Sequence, residues 1–237
     1  MSISKLDILA FGAHPDDVEL GCGGTILSHI KMGKKIGIAD LTGGELGTRG
    51  TAEIREREAD IAAGILGVEF RINLNLPDGF LENSKESKME IVKLIRQYRP
   101  EIVLATATED RHPDHGIAAQ LVSDACFISG LRKVEIESLE TWRPKAVYHY
   151  IQFKDIAPSV VVDISDFYEQ KMEAVKAHKS QFYDPDSKEP ETVISSPEFL
   201  GFVEAKAIGF GKQIGVAYGE GFTTNRYIGT ANLFDLI

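Results

Sequence analysis

The strongest constraint on the fold is a strand–helix alternation that recurs four times in the first half of the chain. Short apolar runs occupy residues 8–12, 35–41, 71–76 and 102–107. Helix-patterned segments follow at 25–32, 52–66, 87–98 and 116–129. Gly33 and Gly67 close the first two helices, and Pro100 ends the third. The runs are apolar throughout rather than alternating, as expected of strands buried on both faces. Strands separated by helices must run parallel, with the helices covering the sheet. The expected fold is α/β: a Rossmann-like three-layer sandwich with a mostly parallel sheet. In the helix at 52–66, Ile54, Ile61 and Ile65 form the expected apolar stripe. After Arg132 the pattern loosens. Strands are expected at 146–151 and 160–163, and helices at 164–178 and 198–212. Residues 183–197, rich in Pro, Ser, Asp and Glu, are expected to form a long loop serving as a lid or an oligomer contact.

The bulk numbers narrow the setting. At 237 residues and 43% hydrophobic, the chain can bury a full core as a single domain over residues 1–237. Its net charge of −10 repels nucleic acid and anionic membranes, so neither is an expected partner. No apolar run is long enough to span a bilayer, and residues 1–5 carry no apolar leader. The two cysteines, Cys22 and Cys126, make no metal or redox spacing. Reduced thiols in a cytoplasm are the expectation.

Two short clusters carry the chemistry. His14-Pro15-Asp16-Asp17 follows the first strand, and Asp110-Arg111-His112-Pro113-Asp114-His115 follows the fourth. Ligands of open parallel sheets bind beyond the carboxyl ends of the strands, and both clusters lie there. Either alone reads as a turn with a helix cap. Together they place imidazoles and carboxylates at one sheet edge. Two histidines and one carboxylate can hold a catalytic zinc while a coordination position stays open for water. Asp16 and Asp17 are adjacent, so one can bind metal while the other remains a base. His112 and His115 can divide ligation and proton donation in the same way.

The string from Gly12 to Gly24, Gly-Ala-His-Pro-Asp-Asp-Val-Glu-Leu-Gly-Cys-Gly-Gly, with Asp110–His115 downstream, resembles the LmbE-like (PIG-L) family of zinc-dependent N-acetylglucosaminyl deacetylases. The segments Asp40–Thr51, Glu53-Ile54-Arg55, Asn75–Gly79, Trp142-Arg143-Pro144, Tyr148-His149-Tyr150 and Gly219–Phe222 resemble its bacillithiol branch. The resemblance implies His14, Asp17 and His115 as metal ligands and Asp16 as general base. It implies His112 as the group that polarises the carbonyl or protonates the leaving amine, oriented by Asp110 or Asp114. The implied cofactor is Zn2+, although the same ligand set suits Fe2+ or another divalent metal. The branch's substrate, a small-molecule conjugate of N-acetylglucosamine with L-malate, carries two carboxylates. Arg55 and Arg111 match family positions and Arg49 sits beside them, making these three the substrate-binding candidates. Some relatives carry a tyrosine in the region aligned with Phe199–Phe202; here Tyr183 and Tyr218 are the alternatives. A homo-oligomer is expected, with a hexamer as its candidate form.

Competing readings are a deacetylase of a mycothiol-type precursor or a chitooligosaccharide, and a metal- or sugar-binding protein without turnover. The spare carboxylate of Asp16 argues against the last. Gly21, Gly23 and Gly24 lack the dinucleotide spacing, and two aspartates would face the pyrophosphate. His29, His149 and His178 are expected to be structural or surface residues, with His178 on a solvated helix face. Asp78 reads equally well as a turn residue in Pro77-Asp78-Gly79.

Overall fold

The computed structural model describes residues 5–236. The segment 1–4, where the absence of a leader is expected, lies outside the described residues. Seven strands form one sheet: β1 (Ile8–Gly12), β2 (Ile36–Thr42), β3 (Phe70–Leu76), β4 (Ile102–Ala105), β5 (Ala146–Tyr150), β6 (Val160–Asp163) and β7 (Gly219–Thr223). Their order is β3-β2-β1-β4-β5-β7-β6. The first five run parallel, and β7 is antiparallel to both β5 and β6. The helices are α1 (Asp17–Lys31), α2 (Ala52–Leu66), α3 (Lys85–Tyr98), α4 (Pro113–Ile128), α5 (Tyr168–Ala177) and α6 (Pro197–Ile214).

β1 shows why the sheet is sandwiched. Leu9 and Phe11 point into one apolar cluster with Ile91, Ile95, Leu121 and Val122 of α3 and α4. Ile8 and Ala10 point into another with Val18, Ile26 and Leu66 of α1 and α2. Side chains alternate across a strand, so a strand apolar on both faces needs a helix layer on each. A third cluster joins Tyr168, Met172 and Val175 of α5 to Phe199, Val203 and Ala207 of α6, beside the antiparallel edge. No helix among the described residues is long and apolar enough to cross a membrane.

Several expectations are corrected. The helix after β1 begins at Asp17, not at residue 25, and α4 begins at Pro113, not 116. Both clusters therefore run straight into helix N-termini. In α2 the buried residues are Arg55, Glu58, Ala59, Ala62 and Leu66, while Ile61 is exposed, because the buried face of this helix is set by its packing, chiefly against α5. β7 escapes sequence reading because two glycines dilute its strand signal. His178 is fully buried with its Nε2 3.3 Å from Glu19, not solvated. Cys22 and Cys126 are buried free thiols, and burial pushes Cys126 up to about 12, which fits packing rather than reactivity.

Candidate active site

Chain order reverses between β1 and β4, the crevice where an open α/β sheet binds ligands. The loop leaving β1 is held by Thr42, whose N–H and hydroxyl both donate to the Ala13 carbonyl. It delivers His14, then Asp16 at the N-cap of α1, then Asp17 as the first helical residue. Asp16 has φ 126° and makes no side-chain cap, a strained conformation for a residue with a Cβ. After β4, His112 caps α4, Pro113 opens it, and Asp114 and His115 lie in its first turn. Thr106 ties this turn to β4 through a 2.8 Å bond to the His115 carbonyl.

The side chains converge. Asp17 lies between two imidazoles, with Oδ2 3.5 Å from His14 Nδ1 and Oδ1 3.2 Å from His115 Nε2. It also accepts from the His14 N–H at 2.9 Å and from Gln152 Nε2 at 2.8 Å. The His14 and His112 ring centroids are 4.5 Å apart. His14 Nε2 approaches Asp78 Oδ1 at 3.0 Å and Asp114 Oδ2 at 3.4 Å, with neither in line for a hydrogen bond. Asp110 holds His115 Nδ1 at 3.0 Å. The carboxylates of Asp110 and Asp114 lie at His115 and His14 rather than at the His112 ring. The Asp114 N–H instead donates to His112 Nδ1 at 3.3 Å, which leaves the ring proton on Nε2.

The electrostatics are those of a site built for a cation. Burial would lower His14, but the carboxylates of Asp114, Asp17 and Asp78 outweigh it and hold the ring well above its ordinary value. Burial also opposes the charge on His115, yet Asp17 and Asp110 raise it to about 9. Asp17 is held far below the usual carboxylate range: the His115 charge overrides the burial that would raise it. His112 is lowered by burial and by the neighbouring imidazoles. Asp16 is pushed up to about 6, mainly by burial and against the pull of Arg55. The carboxylates around His14 and His115 call for a compensating positive charge between them.

The same residues fit a divalent metal. Zinc ligands lie about 2.0–2.2 Å from the ion, so two tetrahedral ligands are roughly 3.3 Å apart. Taken pair by pair, the contacts of Asp17 with His14 and His115 lie near that spacing, each through a different carboxylate oxygen. Among the described residues, the three-residue sets whose donor atoms lie within 4.8 Å of one another are His14, His112 and His115, and His14, Asp78 and Asp114; Asp17 belongs to neither. Asp110 behind His115 is the carboxylate that fixes a ligand imidazole's orientation.

A cavity of about 340 Å³ opens over these groups, with His14, Asp16, Asp17, Asp78, His112 and His115 at one end. The three arginine candidates separate. Arg55 is buried and donates to the Gly44 and Pro15 carbonyls at 2.9 Å and to Asp16 Oδ2 at 3.4 Å, so it braces the base. Arg49 does not line the cavity; its guanidinium meets Ser187 at 2.7 Å and Glu189 at 3.7 Å and tethers the 183–197 loop. Arg111 lines the cavity, is exposed, and lies 5.2 Å from the Phe153 ring. No tyrosine lines the cavity among the described residues: Tyr218 stacks on Tyr168, and Tyr183 is exposed. Sequence reasoning missed Gln152, which carries no local signal. It left Asp78 undecided, although Pro77-Asp78-Gly79 was part of the resemblance.

Comparison with known proteins agrees with this geometry. The family profile of GlcNAc-PI de-N-acetylase (PIG-L) matches residues 9–126, which span both clusters. The diacetylchitobiose deacetylase of Thermococcus kodakarensis is 35% identical over 228 residues, covering 90% of this chain and 81% of that protein. A probable N-acetyl-alpha-D-glucosaminyl L-malate deacetylase 2 of Bacillus anthracis is 27% identical over 188 residues, with 74% and 81% covered. The crystal structure of a conserved protein from Thermus thermophilus superposes with a TM-score of 0.86 at 38% identity, covering 95% of this chain and 97% of that one. Fold, paired clusters and relatives together show that the chain belongs to the GlcNAc-PI de-N-acetylase (PIG-L) family of deacetylases.

Proposed function

We propose that this protein is a metal-dependent hydrolase that removes the acetyl group from neutral N-acetylglucosaminyl conjugates, diacetylchitobiose among them. The observation that carries this reading is Asp16: a buried carboxylate at the cavity, beside Asp17 yet outside the His14–Asp17–His115 contacts. Pure binding has no use for it. His14, Asp17 and His115 would hold the metal, which supplies Lewis-acid polarisation of the amide and acidifies a water. Asp16 takes the proton from the attacking water, and Arg55 fixes its carboxylate for that transfer. Burial and the neighbouring imidazoles favour the neutral form of His112, whose Nε2–H would donate to the oxygen where negative charge develops. The proton held on Asp16 passes to the leaving amine, which gives acetate and a glucosaminyl product.

The preference for neutral conjugates rests on charge. Of the arginines at the cavity, Arg55 is committed to Asp16 and to main-chain carbonyls. Lys171 is paired with Glu220, and Lys206 with Asp155. A malate group brings two carboxylates, and among the described residues that line the cavity Arg111 alone of the arginines and lysines is left to meet them. The Thermococcus relative supports the neutral reading. The malate conjugate remains the second reading because Arg111 is present. Acetate release decides between them, measured on diacetylchitobiose and on the malate conjugate before and after chelation. Faster turnover of diacetylchitobiose, abolished by chelator, is expected. Faster turnover of the malate conjugate would replace the neutral reading with the bacillithiol one.

A further inference from the structure

One long wall of the cavity takes no part in the chemistry described above. It is a single face of α6, with Phe199, Phe202, Val203, Lys206, Ala207 and Phe210 at helical spacing along the cavity; Phe199, Val203 and Ala207 are mostly buried against α5, so Phe202 and Phe210 present most of its apolar surface. Phe153, just after β5, joins this wall to the catalytic end. Its N–H donates to Asp110 Oδ2 at 3.4 Å, and its ring lies 5.2 Å from that of Phe202. Val193 adds to the apolar lining. Phe202 is 36% exposed and Val193 59%, so apolar surface is displayed beside the reacting end.

The wall offers almost no hydrogen bonds. Lys206 spends its ammonium on the Phe153 and Lys154 carbonyls at 3.1 and 2.8 Å and on Asp155 at 3.0 Å, leaving its alkyl stem along the wall. The Thr192 hydroxyl is engaged by the Ser195 N–H. Hydroxyls of a second sugar placed here would exchange water for carbon, which costs affinity. An aryl or alkyl group would bury its own apolar area against the rings.

Resting on the deacetylase reading, we propose that the α6 wall is a subsite for an apolar aglycone, best an aromatic one, attached to the N-acetylated sugar. The catalytic end grips the acetamide, and the wall selects what the sugar carries. The test compares kcat/KM for acetate release from the methyl and nitrophenyl N-acetyl-β-glucosaminides and from diacetylchitobiose. The nitrophenyl glycoside is expected to exceed both others by about tenfold or more. Phe202→Ser and Val193→Ser, both at exposed positions, are expected to lower the nitrophenyl-to-methyl ratio by roughly threefold or more. This ratio cancels any change in the folded fraction. Equal kcat/KM for the methyl and nitrophenyl glycosides, a ratio unmoved by both substitutions, or a preference for diacetylchitobiose would each overturn the subsite. Failure of all three compounds to release acetate would overturn the deacetylase reading instead. Calorimetric binding of the nitrophenyl glycoside, weakened by Phe202→Ser, would then still support the subsite, and binding unchanged by that substitution would overturn it.

Discussion

Asp16 and Asp17 are neighbours with opposite electrostatic fates. Asp17 faces two imidazoles and is held strongly acidic, whereas Asp16 faces Arg55 and is raised by burial. The positive φ of Asp16 turns the two carboxylates to different partners, and this strain is the local cost of dividing their roles. Asp16→Asn is expected to keep the bound metal but to lower kcat by roughly a hundredfold or more, as for loss of a general base. Elemental analysis beside acetate release checks this; full activity would remove Asp16 as the base. His115→Ala is expected to lose the metal itself, and undiminished metal content in that variant would refute the ligand set. The adjacent aspartates and paired histidines were legible because they are contiguous in the chain. Asp78 and Gln152 reach the site from separate loops, so spacing alone could not place them.

At the scale of elements, α1 is the critical piece, because it begins on Asp17, a proposed ligand, and is broken one turn later. Cys22 has non-helical angles, and Glu220 from β7 repairs the break by accepting from the Gly24 and Thr25 N–H groups at 3.0 and 2.7 Å. Lys171 of α5 donates to Glu220 at 2.7 Å and to the Leu20 carbonyl at 2.9 Å. Glu220→Ala strands a buried ammonium and is expected to cost on the order of 3–5 kcal/mol. Urea unfolding measures this, and a loss below about 1 kcal/mol would show that water rescues the lysine. Gly21 lets the same helix lie against β5: a Cβ there would stand 2.1 Å from the ring of fully buried Tyr150. Gly21→Ala is expected to destabilise by about 1–3 kcal/mol or more through overpacking, read as a lowered Tm. An unchanged Tm would mean that the helix shifts freely, against the packing described here. The glycines were visible in the sequence, but their partners Tyr150 and Ile164 are not sequence neighbours.

Across the whole molecule, a buried charge network ties the layers beneath the site. Arg71 of β3 meets Glu19 of α1 and donates to Asp40 of β2 at 2.6 and 3.0 Å, and His178 after α5 lies 3.3 Å from Glu19. Burial would raise Glu19, but Arg71 overrides it and brings the carboxyl from 4.5 down to about 2. A depressed folded value stabilises the protein fully above the unfolded pKa and less as pH falls toward the folded one. Glu19 is thus expected to contribute on the order of 3 kcal/mol above about pH 5, lost progressively toward about pH 2. Unfolding of the wild type and Glu19→Gln across this range checks the sign. Their stability difference should shrink on acidification, and a growing difference would refute the network's role.

Local patterns in the chain are enough to set the parallel core and to place the chemistry. Strand runs and helix stops are local patterns, and a parallel sheet sends the ends of β1 and β4 to one edge. The bounds of β1, α2 and β6 could be read without the structure for the same reason. Tertiary structure alone decided which groups meet. It turned Arg55 toward Asp16, drew Arg49 into the 183–197 loop, and buried His178 against Glu19. It also laid α6 along the cavity, so that a helix unremarkable in sequence became one of its walls. Such pairings join residues far apart in the chain, and only the packing of separate layers settles which long side chains face one another.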